Sequence, residues 1–381
     1  MMLWAWRQWL QEPLRAALAA AVFAAALALC LLFEGLRSGI LTDVAAYPSS
    51  LPADFVAVER GNGYFAVMPS QLPQLGRERL EAVDGVAAVD PLTMLPAILQ
   101  TPGLRTPGLR SPIQLQAYEG QGGPPRLTAG TEPLAEGSVV LDERLARRHG
   151  LEIGDDISIF DYRMRIVGLS AGSASPFTPY AFVSYDTLLS LLLESNLPIG
   201  LDDYSLLSFL LIRTKPGVDL EGARARLAAA LPDADFYTPA ELGAQDRAFG
   251  ARLLGPVLWL LSAVAWAIAG LTMGLLRFAD VQAGLRQFGI HKALGATPRQ
   301  LAAALTAGSL IVAVVAMPPS LLLARGFAAV VAHWNPLYSA LVWDSGVLAR
   351  GLALGLASAL GGGLLPLRRL VRLDPSLVFS R

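Results

Sequence analysis

The 381 residues are 54% hydrophobic and only 16% charged, a balance too apolar for a purely soluble chain and one that points to a membrane. The net charge of −1, from 30 basic and 31 acidic residues, excludes both an overall basic field for nucleic acid and an acidic disordered chain. A lone Cys30 and three scattered histidines, His149, His291 and His333, exclude an intramolecular disulfide and argue against a histidine-based metal site.

In chain order, residues 1–15 carry Trp4, Trp6 and Trp9 beside Arg7, which predicts an amphipathic helix anchored among membrane lipids at the inner surface. Ala16 to Phe33 then contains no Asp, Glu, Lys or Arg. Three later stretches share that property: Leu253 to Leu276, Gln300 to Ala324 and Gly351 to Leu367. Each is long enough to cross the hydrocarbon core, so four transmembrane helices are expected, at residues 16–36, 253–276, 300–324 and 351–367. The first apolar run is longer than a signal-peptide core and Glu34-Gly35-Leu36-Arg37 is no cleavage site, so it reads as an uncleaved anchor. It also carries two sets of alanines at four-residue spacing, Ala17, Ala21 and Ala25 and Ala20, Ala24 and Ala28, suited to close helix approach. Pro318-Pro319 should kink the third span.

Flanking charge sets the orientation. With four spans, the side holding both termini collects ten basic residues (Arg7, Arg15, Arg277, Arg286, Lys292, Arg299, Arg368, Arg369, Arg372 and Arg381) against three acids, while residues 37–252 hold 18 basic and 26 acidic ones. The positive-inside rule then puts both termini in the cytoplasm and residues 37–252 outside. A fifth apolar run, Gly326 to Trp343, would reverse the last arginines and is read as part of a short outer loop, 325–350, with Trp334, Tyr338 and Trp343 at the outer belt. The expected fold class is thus a polytopic α-helical membrane protein, four transmembrane helices with cytoplasmic N and C termini, and a large α/β extracytoplasmic domain between helices 1 and 2.

That outer domain, 216 residues long, alternates between strand and helix patterns. Asp54 to Arg60 and Val86 to Thr93 read as strands around a short helix at Arg77 to Val83. The order recurs as Leu206 to Arg213, a helix over Leu220 to Leu231, and Ala234 to Thr238. Two such βαβ halves suggest a split-βαβ module. Between them, Ser138 to Ser170 predicts an inserted β-rich subdomain with one helix, Glu143 to His149. The repeats Thr101-Pro-Gly-Leu-Arg and Thr106-Pro-Gly-Leu-Arg mark loops.

Catalytic chemistry is hard to find. Gly168-Leu169-Ser170-Ala171-Gly172 has the spacing of a nucleophile elbow, but the following Ser173 to Pro179 reads as loop where the elbow needs a helix. Lys215 and Lys292, the only lysines, sit in no Gly-Lys-Ser/Thr phosphate loop. Asp155-Asp156 and Asp202-Asp203 lack the further oxygens of a calcium loop. The chain is therefore read as non-enzymatic, with no catalytic residue, cofactor or metal of its own.

The loop at residues 277–299, between the second and third spans, is the most distinctive segment. FGIHKALGATPRQL, from Phe288 onward, resembles the cytoplasmic "E-x-G-(I/V)-x-K-A-(L/I)-G-A" segment of permeases in the MacB/FtsX/LolC superfamily of ABC transporters. The tail 368–381, with Pro366-Leu367-Arg368-Arg369 and Asp374-Pro375, resembles the same family's ending. Within it, Ala53-Asp54-Phe55-Val56, Asp84-Gly85-Val86, Val139-Val140-Leu141-Asp142 and Pro179-Tyr180-Ala181-Phe182-Val183 look most like DevC-type exporter permeases.

The resemblance implies that Phe288, Gly289, Ile290, Lys292, Ala293, Leu294 and Gly295 contact a separate ABC ATPase, which binds the ATP and Mg. Gln287 stands where the family often has Glu, and His291 where an apolar residue is common. It further implies a second permease copy, a periplasmic adaptor (membrane fusion protein), an outer-membrane duct and a place in the cell inner membrane. The expected function is the permease subunit of an exporter working by mechanotransmission on a lipid, glycolipid, peptide or drug. Two alternatives within the superfamily are an FtsX-like transducer that activates a cell-wall hydrolase and a LolC/LolE-like lipoprotein extractor.

Overall fold

The computed structural model describes residues 13–66, 70–73, 75–101, 110–173, 178–194, 207–334 and 343–366. Trp4, Trp6, Trp9, Tyr338 and the tail beyond residue 366 lie outside them. The chain divides into two compact units, one comprising Met1–Gly39, Leu254–His333 and Ser339–Arg381, the other Ile40–Leu253 and Trp334–Tyr338.

The first unit contains the expected spans. Four helices are long and apolar enough to cross a membrane: α1 (Pro13–Ser49), α6 (Pro239–Ala283), α8 (Pro298–Trp334) and α9 (Ser345–Gly363), numbered in chain order. All four extend beyond the charge-free stretches at one end or both, because a helix continues past the bilayer edge wherever its backbone bonds persist. Gly326 to Trp334, part of the rejected fifth run, belongs to α8, which runs unbroken through Pro318 and Pro319.

Small residues govern how these helices pack. Phe23, Ala24, Leu27 and Cys30 of α1 meet Ala265, Ala269 and Met273 of α6, Val312, Ala313 and Ala316 of α8 and Ala359 of α9. On α1, Ala20, Ala24 and Ala28 are buried, whereas Ala17, Ala21 and Ala25 are exposed, so only one of the two alanine rows is a packing face. The stripe on α9 was not read in the sequence: a Cβ added at Gly351 would lie 2.3 Å from Leu31 Cδ2, at Gly355 3.0 Å from Leu27 Cδ2, and at Gly363 2.2 Å from Ser309 Oγ. Glu34, just beyond the charge-free stretch of α1, is buried and pairs with Arg37 at 3.0 Å and with Arg350 of α9 at 3.6 Å.

The second unit is built on one ten-stranded sheet. Its elements are β1 (Phe55–Glu59), α2 (Gly76–Glu81), β2 (Val86–Gln100), β3 (Arg110–Tyr118), β4 (Leu127–Gly130), β5 (Ser138–Asp142), α3 (Glu143–His149), β6 (Asp156–Ile159), β7 (Tyr162–Ser170), β8 (Tyr180–Ser184), α4 (Tyr185–Glu194), β9 (Phe209–Thr214), α5 (Leu220–Ala230) and β10 (Ala234–Tyr237). Strands run in the order β10-β1-β9-β2-β3-β8-β5-β7-β4, with β6 on β2 and β7. The four strands β10-β1-β9-β2 are antiparallel neighbours and carry α2 and α5, a split-βαβ arrangement.

β2 corrects the short strand expected at Val86 to Thr93. It runs on through Pro96 to Gln100, pairing with β9 over its first half and with β3 from Leu92 onward. One strand therefore serves both the split-βαβ half and the β-rich subdomain. Period-2 alternation alone could not show this, since the buried pair Leu92 and Met94 is followed by Ala97 and Leu99, a slip of one residue at Pro96, which reads as the end of a strand.

Each half has its own core. Leu80, Val89, Leu210, Ile212, Leu227 and Phe236 fill one; Ile113, Leu115, Val139, Leu141, Ile157, Ile166 and Leu188 fill the other. A third cluster brings in the last turns of α1 and the first of α6: Tyr47, Leu51 and Leu242 pack with Phe65, Phe182 and Phe209. The two helix segments touch closely. A Cβ at Gly243 would lie 3.1 Å from Ser49 Cβ and 3.2 Å from Ala45 O.

Candidate functional site

The segment between the second and third spans folds as a separate short helix because its sequence starts and stops it. Gly284 breaks α6 and opens α7 (Leu285–Ala293). At the other end Gly295 adopts φ +93°, Gly295 N–H bonds Lys292 O at 3.0 Å and Ala296 N–H bonds His291 O at 2.9 Å. These paired bonds form a Schellman stop, which needs glycine for its left-handed residue. Thr297 and Gln300 then cap each other's backbone, Thr297 N–H to Gln300 Oε1 at 2.8 Å and Gln300 N–H to Thr297 Oγ1 at 3.3 Å. With Pro298 at the first helical position, this starts α8.

The seven residues implied by the resemblance all lie on α7 or its stop, but they do not share one face. Phe288 and Gly289 are buried, and the Phe288 ring packs on Val281 of α6 and Leu301 and Leu305 of α8. Ile290, Ala293, Leu294 and Gly295 are exposed and Lys292 is half-exposed. Ile290 and Leu294 are 40% and 82% exposed. Four residues apart, they form one apolar stripe. His291 holds α7 from its side, with Nδ1 2.7 Å from Gln287 O.

Sequence reasoning counted Arg277 and Asp280 only as inner-side charges. In the structure Arg277 is 7% exposed, its Nη2 donates to Gly308 O of α8 at 2.8 Å, and its Nη1 meets Asp280 Oδ2 at 2.9 Å. Asp280 Oδ1 in turn lies 3.2 Å from Arg15 Nη2 of α1. The signal available in the sequence was an arginine immediately following a charge-free span, which basic flanks make commonplace.

The nucleophile-like spacing resolves into a structural pin. Ser170 ends β7 and is fully buried; its Oγ lies 2.7 Å from Ser173 Oγ, which donates to Asp142 Oδ2 at 2.9 Å. Asp142 Oδ1 also caps α3 by accepting from Arg144 N–H at 2.9 Å. Burial raises the Asp142 carboxyl above its ordinary range, with the hydrogen bonds from Ser173 and Arg144 opposing. Asp155 caps a turn through Glu152 N–H and Asp156 pairs with Arg165; Asp202 and Asp203, Arg105 and residues 174–177 lie outside the described residues. Among the described residues no group of three or more His, Cys, Asp or Glu side chains is placed to hold a metal.

Four spans, a large α/β domain inserted after the first, and a capped short helix between the second and third define a class of permease-like membrane proteins. Residues 17–230 match the family of the MacB-like periplasmic core domain, and residues 259–375 match the FtsX-like permease C-terminal. The chain belongs to the MacB/FtsX-type ABC transporter permeases, a membership that brings a separate ATPase as partner and a periplasmic-type outer domain.

ABC transporter permeases of Mycobacterium bovis and Mycobacterium tuberculosis are 24% identical over 358 residues, covering 93% of this chain and 92% of theirs. A second Mycobacterium tuberculosis permease is 22% identical over 354 residues, 92% of this chain and 91% of that one. Among solved structures, the periplasmic region of MacB from Actinobacillus actinomycetemcomitans aligns at TM-score 0.36 and 13% identity, over 51% of this chain and 94% of that one. The extracellular domain of the transporter YknZ from Gram-positive bacteria aligns at TM-score 0.35 and 10% identity, over 49% and 100%.

Proposed function

We propose that the chain is the non-catalytic, DevC-like permease subunit of an exporter that works by mechanotransmission. In this reading α7 seats in a cleft of the ATPase, and the ATPase's nucleotide cycle moves the spans and reshapes the outer domain without a substrate path through the bilayer. The observation that carries it is the division of labour on α7. Phe288 fastens the helix to α6 and α8 from within, while Ile290 and Leu294 are left as an apolar stripe that water disfavours and a protein cleft would bury. The other features agree: the polar ends of the helices hold their charges, and the apolar run of each span is free of them, which suits a part that moves as a lever and not as an ion path.

The chain then sits in the cell inner membrane as one of two copies. The outward apolar side of α6, including Trp259, Leu260, Val264 and Leu271, supplies surface for the second copy as well as for lipid. A periplasmic adaptor and an outer-membrane duct complete the export route for a lipid, glycolipid, peptide or drug. The test is charge insertion on the stripe. Ile290→Asp or Leu294→Asp, in the full chain purified from its host in nanodiscs, should lose the co-purifying ATPase while retaining the wild-type unfolding temperature. ATPase recovery at the wild-type level in both variants would refute the assignment. The proteins that co-purify with the wild type separate an exporter, which brings an adaptor, from a transducer, which brings a hydrolase.

A further inference from the structure

Arg277 ends the apolar run of α6 with a charge that is 7% exposed. A guanidinium so placed must be compensated by fixed acceptors, because the desolvation cost of an unmatched ion there is several kcal/mol. Two of its nitrogens have them: Asp280 one turn along α6, and the backbone carbonyl of Gly308 on α8, 31 residues away in the chain. The bond is made at a glycine: a Cβ at residue 308 would lie 3.0 Å from Arg277 Nη1 and 3.5 Å from its Cζ, so a side chain there would press on the guanidinium where glycine leaves it room.

The same two helices are joined again one to two turns nearer α7. Val281, four residues after Arg277, and Leu305, three before Gly308, both pack on Phe288. The end of α6 and the start of α8 are thus fastened by an apolar plug from α7 and by a charged bond behind it, with Arg15 of α1 drawn in through Asp280 and the Ala279 carbonyl, each at 3.2 Å. Leu301 and Leu305 alone would allow sliding, since apolar contacts have no direction. A planar guanidinium held at one nitrogen by Asp280 of its own helix has its orientation set, so its single bond to the Gly308 carbonyl fixes both distance and direction.

We propose that Arg277 is a positioning residue for energy coupling: by bonding the Gly308 carbonyl it makes α6 and α8 move as one body when α7 is displaced. This rests on the reading of α7 as the ATPase contact. Lysine would keep the charge but, as a single point donor, could not span Asp280 and Gly308 O in the same geometry.

The test uses the full chain in nanodiscs with its co-purified ATPase, Cys30→Ala as background and spin labels at the exposed Ala283 of α6 and Ala303 of α8. Their separation is read by pulsed electron resonance without nucleotide and with Mg-ATP and vanadate. In the wild type the separation should be narrow and unchanged by nucleotide. In Arg277→Met it should shift or broaden on nucleotide addition while the ATPase remains bound, and Arg277→Lys should behave like Met and fail to rescue. A role confined to stability predicts a lower unfolding temperature with a separation still insensitive to nucleotide, which would overturn the proposal. If Arg277→Met does not assemble, Arg277→Lys decides by the same readout. Loss of the ATPase from the wild-type complex would instead strike at the reading of α7.

Discussion

Asp246, on the early turns of α6, is fully buried, and its two oxygens accept only the N–H groups of Phe65 and Ala66, each at 3.0 Å. No cation pairs with it among the described residues. Burial pushes its carboxyl from an ordinary 3.8 up to about 7, the two amide bonds pulling the other way. The folded chain therefore keeps a proton that the unfolded chain has released, and stability falls as pH rises from about 4 through about 7, then levels off. A shift of that size is worth on the order of 4 kcal/mol at pH 8, of which roughly 2–3 kcal/mol develops between pH 5 and pH 8.

Asp246→Asn removes the titration. Its amide NH2 faces one of the two N–H donors, which costs about 1–3 kcal/mol at every pH. The stability difference between variant and wild type should thus move in the variant's favour by roughly 2–3 kcal/mol from pH 5 to pH 8. Contributions from Asp142 and every other group are common to both proteins and cancel. Denaturant unfolding of the full chain in nanodiscs, followed by near-ultraviolet circular dichroism of the Tyr47–Tyr180 cluster, whose ring centroids are 5.0 Å apart, measures it. Parallel pH profiles, or a difference moving in the wild type's favour, would refute the account of Asp246 as an uncompensated buried carboxyl.

Gln116 is fully buried and, among the described residues, neither of its amide atoms has a partner; Gln116→Leu should raise stability by about 1–3 kcal/mol in the same unfolding assay, and a loss would show that a partner exists. Gly243→Val drives a branched side chain into Ser49 and the Ala45 carbonyl and should cost about 1–3 kcal/mol. Phe288→Ala empties the space between Val281, Leu301 and Leu305, a change of about 3–5 kcal/mol. It should make tryptic cleavage after Arg286 and Lys292 faster, where Ile290→Ala should not.

The four spans were legible because a membrane span is defined by what it lacks, and long charge-free stretches can be counted directly. The helix Glu143 to His149 was legible for a related reason: Asp142 ahead of it and Gly150 behind it are a cap and a left-handed stop. Direction was not legible. The motif around Phe288 places seven residues on one short helix and its stop, but only the packing of two other helices decides that Phe288 points inward and Leu294 outward. Nor could Arg277 or Asp246 be told from other charged residues, since their burial arises from elements far apart in the chain. Ser170 shows the converse, a spacing that suggests chemistry and folds into a buried pin.

The glycines of α9 give the sharpest test of how the spans are held. Lipid chains are as apolar as leucine, so apposed helices gain nothing from leaving lipid; they adhere by close packing, which small residues permit. At Gly362 the backbones of α9 and α6 approach closely: an added Cβ would lie 2.1 Å from the Gly270 carbonyl oxygen and 3.0 Å from Gly274 N, both backbone atoms that cannot turn aside. Its neighbour Gly361 has nothing within 4 Å of the same added atom among the described residues. Gly362→Ala must then separate α9 from α6 and, with no hydrophobic gain to offset the lost contacts, should destabilise the chain by about 1–3 kcal/mol. Gly361→Ala makes the identical chemical change one residue away and should be neutral or better, by up to about 1 kcal/mol of helix propensity. Unfolding of the two variants in nanodiscs by added sodium dodecyl sulfate compares them directly. Equal effects would mean that α9 is held against α6 by something other than the backbone contact of Gly362 with Gly270.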